Sequence, residues 1–205
     1  MTLDKSIAFF DEQFARQIRD HDFGLNPFET AALPHLRGHV LDFGCGMGNL
    51  AVAAARRGCR VMALDASAAA IEHVRQVAAA EGLGLDAAQV DLRIHPIGEE
   101  FDCVVSIGLL MFFDCPTARR ALAELQAHVK PGGTAVVNLL VEGTTYVDMF
   151  DPGSHCLFER DELARRFEGW TILLSEFADY PAPGARTKCF ATLIARKPGA
   201  AAAQA

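Results

Sequence analysis

The sequence predicts an α/β fold: a doubly wound, mostly parallel sheet with helices on both faces. Three observations carry this. Apolar runs of strand length alternate with helix-like runs between residues 39 and 141, the order a parallel sheet requires. Three glycines at every second position, Gly44, Gly46 and Gly48, join the first strand-like run to the first helix-like one. The chain has 205 residues, 51% of them apolar, enough for one packed core. One domain over residues 1–198 is therefore expected. Residues 1–36 precede the first strand, and 199–205 form a tail without core residues.

Each element has its own signal. Ahead of the sheet, Ile7, Phe10, Phe14 and Ile18 recur at helical spacing. Asp20 to Leu36, with Gly24, Asn26-Pro27 and Pro34, reads as a loop with a short helical turn. Val40, Leu41 and Phe43 make the first strand, and Leu50 to Arg57 an alanine-rich helix with a basic last turn and a glycine stop at Gly58. Arg60 to Asp65 is the second strand. Ser67 caps a helix to about Glu81, its face Ile71, Val74, Val77 and Ala78. The third strand lies near Leu85 to Val90 and the fourth at Phe101 to Ile107. Asp114 or Cys115 caps a helix opened by Pro116. Lys130-Pro131-Gly132-Gly133 then turns into a fifth strand, Thr134 to Val141. A long connection, 144–158, is of the kind that is functional or mobile. Phe158 to Phe167 reads as a helix, with acids first and arginines last. Trp170 to Phe177 and Lys188 to Arg196 are the last strands, with a turn at Tyr180 to Gly184 between them.

Strand, glycine turn, helix lets a ligand touch bare backbone at a helix N-terminus. The spacing narrows the ligand. A dinucleotide fingerprint needs its third glycine at position 49, which is Asn49. Asp42 sits on the last strand residue but one. Asp65 ends the second strand, 21 residues after Gly44, where a ribose-binding carboxylate belongs. A β-branched side chain at Gly46 is expected to block the site.

Composition excludes other partners. A net charge of −7 and a pI near 5.5 argue against nucleic acid. The longest nearly apolar run, Cys103 to Phe113, is too short to cross a bilayer, so no membrane partner is expected. The six cysteines form no C-x-x-C pair and read as buried thiols of a reducing compartment, not a disulfide framework or a metal site. No secretory signal pattern is present at the N-terminus. A cytoplasmic enzyme with a small-molecule substrate is the expectation.

Leu41 to Gly48 resembles the first motif of the class I S-adenosylmethionine-dependent methyltransferases, L-D-x-G-C-G-x-G. The K-P-G-G turn supports the same class. The resemblance implies a three-layer, Rossmann-like sheet of seven strands with the last antiparallel, S-adenosyl-L-methionine as cofactor, and residues 1–36 as a cap in which Phe9, Phe10 and Phe14 line the cofactor site. It implies cofactor contacts at Asp42, Gly44, Cys45, Gly46, Asp65, Ala66, Asp91, Leu92 and Ser106, with Asp91 meeting the adenine amino group. Four further segments, Leu110 to Phe113, Val129 to Gly133, Phe158 to Leu163 and Phe190 to Lys197, look like the tellurite-resistance methyltransferases, which methylate tellurite and selenite. Members of that family carry a His-Arg pair and a further Arg before the final strand. Here the stretch is the short Asp179 to Arg186, so Arg186 is the candidate substrate-orienting cation or else a solvated hairpin residue. His155 and Arg160 either supply the lost polar contacts from the long loop or, as their positions favour, stay at the surface. Leu109 to Phe113 is either a wall of the active site or ordinary core. No nucleophile–base pair is visible, as suits direct methyl transfer governed by positioning. A small organic thiol, acid or amine as acceptor, and a non-catalytic S-adenosylmethionine-binding protein, remain open alternatives.

Overall fold

The computed structural model describes residues 5–20, 23–151 and 153–199. Seven strands form one sheet in the order β3-β2-β1-β4-β5-β7-β6. They are β1 (His39–Phe43), β2 (Arg60–Asp65), β3 (Leu85–Gln89), β4 (Phe101–Ile107), β5 (Val129–Leu140), β6 (Thr171–Ala182) and β7 (Arg186–Arg196). The first five run parallel, and β7 is antiparallel to both of its neighbours. This is the seven-stranded, Rossmann-like class the sequence implied. Strand order reverses between β1 and β4, and the carboxyl ends of those two strands open the crevice where such sheets bind ligands.

The helices are α1 (Lys5–Asp20), α2 (Pro27–Ala32), α3 (Asn49–Arg56), α4 (Ala68–Glu81), α5 (Cys115–Ala127) and α6 (Glu162–Arg166). The pleat sorts the core. Val40, Val61, Ala63 and Val105 pack with α3 and α4, while Leu41, Phe43, Leu64 and Val104 pack with α5 and α6. Capping follows the sequence: Ser67 accepts from the Ala70 N–H and Asp114 from the Thr117 N–H. Asn26 and Glu29 form a reciprocal capping box that makes α2 a defined helix.

Several expectations are corrected. Lys130 to Gly133 lies inside β5 as a bulge, because Phe101 pairs with Val129 and Cys103 with Thr134. At Gly133 a Cβ would stand 2.7 Å from the Asp102 carbonyl oxygen, so this close approach excludes a side chain. The helix expected over 158–167 forms only at Glu162–Arg166. Phe158 is fully buried and bridged to Val141 instead, and Glu162 is held by Arg119 and Arg166. The final hairpin is longer than expected: β6 runs to Ala182, and Ala185 turns the chain at φ +55°. Ile7, Phe9 and Ile18 lie outside the described side chains.

The cysteines also depart from the reading of six thiols. Cys45, Cys59, Cys103 and Cys189 are free and buried, but Cys115 and Cys156 form a disulfide across 41 residues. The bridge ties the start of α5 to the 144–158 connection. Closing a loop of that length contributes roughly 3–4 kcal/mol in the chain-entropy account. Reductant, or Cys156→Ser, is therefore expected to lower the melting temperature by roughly 5–15 °C. Scanning calorimetry with and without reductant checks this, and an unchanged transition would contradict it.

Candidate functional site

The glycine turn after β1 is locked to the end of β2. The N–H groups of Gly44 and Cys45 both donate to the Leu64 carbonyl, at 2.8 and 3.0 Å. The Gly46 N–H donates to one Asp65 oxygen at 2.8 Å, and the Ser67 N–H donates to the other at 2.9 Å. Asp65 thus braces both βα turns with its own carboxylate. Gly46 and Gly48 both take positive φ, +51° and +73°, which side chains rarely adopt. A Cβ on Gly48 would meet Val74 at 2.5 Å, and one on Gly46 would press the Phe14 ring at 3.3 Å.

Above this turn lies a cavity of about 400 Å³, within the usual range for small-molecule sites. Asp42, Gly44, Cys45, Gly46, Asp65, Ala66, Asp91 and Leu92 all line it. Phe10, Gln13, Phe14 and Gln17 of α1 line it too, so the segment before the sheet covers the turn. Phe10 meets Phe112 edge-on at 5.0 Å between ring centres and stacks on Phe14 at 5.7 Å. The 109–113 stretch divides its roles: Leu110 is fully buried core, while Leu109, Met111, Phe112 and Phe113 face the cavity.

Two expected residues are elsewhere. Ser106 is buried and not part of the lining, because β4 alternates and Ser106 shares the face of Val104; Ile107 and Gly108 reach the crevice instead. Among the described residues its hydroxyl has no hydrogen-bond partner. Arg186 is also outside the lining. It is clamped by Asp148 through two hydrogen bonds, at 2.6 and 2.8 Å, and lies over the Tyr146 ring. Arg160 stacks over Phe177, and His155 lies flat on Phe150; neither lines the cavity. Residues that sequence reasoning missed are Glu29, Phe28, Asn138, Met149, Lys188 and Phe190. The Asn26…Glu29 capping pattern was a legible signal for the first pair. The others depend on which strand ends meet.

The turn end of the cavity is strongly acidic. Burial raises the Asp42 pKa to about 8, with further contributions from Glu29 and Asp65. Burial also raises Glu29, against the opposing hydrogen bond from the Asn26 N–H. The Cys45 thiol is pushed well up by burial, then by Asp42 and Asp65. Among the described residues no cation or donor meets the Asp42 carboxylate. Asp91 differs: Arg93 binds it and lowers its pKa. Buried acids without counter-charge are costly unless a ligand supplies it. A cofactor bearing a sulfonium and an ammonium fits this donor set, and bare glycine backbone fits its close approach.

A family model described as a methyltransferase domain matches residues 40–133. A probable S-adenosyl-L-methionine-dependent methyltransferase TehB from Haemophilus influenzae is 28% identical over 165 residues, 77% of this chain and 57% of that protein. Residues 40–133 therefore carry a methyltransferase domain. The crystal structure of TehB from Haemophilus influenzae shares the fold, with a TM-score of 0.76 at 20% identity, over 88% of this chain and 65% of that one. Hemagglutinin 1 of Eikenella corrodens is 32% identical over 171 residues, 78% of this chain and 55% of that protein. The chain thus spans little more than half the length of the curated relatives it matches.

Asp42 makes stability pH-dependent. Its folded pKa, about 8, lies above its ordinary value of 3.8, so the folded state holds a proton the unfolded state has released. Stability then falls as pH rises from about 4 to 8, by on the order of several kcal/mol. Asp42→Asn is expected to melt higher than wild type at pH 8, with the gap narrowing toward pH 5. Thermal melts of both cofactor-free proteins across this range check it; a gap independent of pH would contradict it.

Proposed function

We propose that this protein transfers a methyl group from S-adenosylmethionine to a small, soft acceptor, and that the acceptor is a chalcogen oxyanion such as tellurite or selenite. One observation carries the reading: a single cavity is lined both by the acidic glycine turn and by a mostly apolar wall that packs against that turn, Leu109 standing directly over Gly44. The cofactor supplies a methyl group on a positively charged sulfur, an electrophile that needs no acid to activate it. Asp65 accepts from the ribose hydroxyls while keeping its bonds to the backbone. Asp42 and Glu29 offset the cofactor's positive groups. Asp91 and Leu92 take the adenine. Ile107, Leu109, Met111, Phe112 and Met149 shed water from the path between sulfur and acceptor, so positioning and exclusion of water lower the barrier. Residues 1–36 act as the cap, through Phe10 and Phe14.

The likeness to TehB and the four segments shared with the tellurite-resistance family support the oxyanion over other acceptors. Four of the six cysteines are free thiols, which suits a cytoplasmic setting, and the Cys115–Cys156 bridge is the exception. The test is to incubate the protein with methyl-labelled S-adenosylmethionine and selenite or tellurite, and to trap volatile product. Labelled volatile product is expected. Its absence, with methylation of an organic thiol, carboxylate or amine instead, would contradict the oxyanion. Cofactor binding with no acceptor methylated at all would favour a non-catalytic role.

A further inference from the structure

Arg186, Lys188 and Phe190 stand on one face of β7, two residues apart, yet they meet different surroundings. Arg186 lies farthest out and is neutralised by Asp148. Phe190 is fixed by an aromatic cluster, 4.8 Å from Phe28 and 5.8 Å from Tyr180 between ring centres. Lys188 lies between them and lines the cavity. Its ammonium sits 5.0 Å from the centre of the Tyr146 ring, and among the described residues no carboxylate pairs with it. The cavity's other cation, Arg93, is held by Asp91.

The backbone around Lys188 is fixed from both sides. Thr145 and Tyr146 donate their N–H groups to the Thr187 carbonyl, and the Thr187 N–H returns to the Thr145 hydroxyl. The Thr144 hydroxyl accepts from the Cys189 N–H. Farther along the same strand pair, Asn138 also lines the cavity, its amide nitrogen donating to Thr192 while its buried oxygen has no partner among the described residues. A half-buried cation that no described carboxylate pairs with, on a braced strand and lining the cavity, is a site prepared for an anionic group.

We propose that Lys188 is the positioning residue for the methyl acceptor: its ammonium binds an anionic oxygen of the acceptor and so sets the acceptor's lone pair toward the glycine turn. This rests on the methyl-transfer reading above. Burial lowers the Lys188 pKa, as is expected of a cation that lacks counter-charge. Lys188 takes the part that the sequence assigned to Arg186, and the acceptor is an oxyanion or a carboxylate. A neutral thiol or amine gains nothing from it.

The test begins with protein saturated with S-adenosylhomocysteine, titrated by calorimetry with selenite, with acetate, and with acetamide as the neutral counterpart. Wild type is expected to bind at least one of the two anions and not acetamide, and which anion binds distinguishes oxyanion from carboxylate. Lys188→Met should weaken that binding at least tenfold, and Lys188→Arg should restore it to within about threefold, because charge and not size is needed. S-adenosylhomocysteine affinity should be unchanged in both variants. Equal anion binding by wild type and Lys188→Met, or no anion binding by wild type, would overturn the assignment. Failure of wild type to bind S-adenosylhomocysteine would overturn the methyltransferase reading beneath it.

Discussion

The site depends on one hydrogen bond, from the Gly46 N–H to Asp65. It joins the turn after β1 to the turn after β2, and so sets the floor of the cavity. The geometry is possible because Gly46 and Gly48 accept left-handed backbone; a Cβ would clash with Val74 at Gly48 and press the Phe14 ring at Gly46. Charge-assisted hydrogen bonds of this kind contribute about 1.5–3 kcal/mol. The same carboxylate lines the cavity, so one residue both shapes the turn and faces the ligand site.

Charge is divided along the cavity. Three acids, Glu29, Asp42 and Asp65, crowd the turn end, and Asp42 is held near a pKa of 8 by burial and its neighbours. Lys188 supplies positive charge near the final strands. A fold selected for stability alone would not bury Asp42 unpaired. Its presence is understandable where a cationic ligand completes the site, since binding to the folded state alone then restores the lost stability. The apolar wall over the turn, Leu109 with Met111, Phe112 and Phe113, strengthens these interactions by excluding water.

Much of the architecture was legible because its signals are local. Strand alternation, the Ser67 and Asp114 caps and the three-glycine turn are each read within a few residues, and the structure places them as expected. The failures share a physical cause: they depend on where distant segments meet. Arg186 and Lys188 have the same sign and share a strand face, so sequence cannot tell which reaches the cavity. The position of Asp148 on the 144–158 connection decides it. Ser106 and Ile107 differ only by the alternation of β4 and by where that strand ends. The Cys115–Cys156 bridge follows from the same connection folding back on α5, which no spacing rule reveals. The shortened α6 shows tertiary contacts overriding propensity, since Phe158 gains more from the core than from a helical turn.

The most direct test of the account is calorimetric titration of S-adenosylhomocysteine into wild type and Asp65→Ala. Wild type is predicted to bind one equivalent. Asp65→Ala should bind at least tenfold more weakly, losing two charged-acceptor bonds to the ribose, while its circular dichroism remains that of a folded protein. Equal affinity in the two proteins would contradict the role given to Asp65. Binding of a nicotinamide dinucleotide by wild type, with none of S-adenosylmethionine or S-adenosylhomocysteine, would contradict the account as a whole.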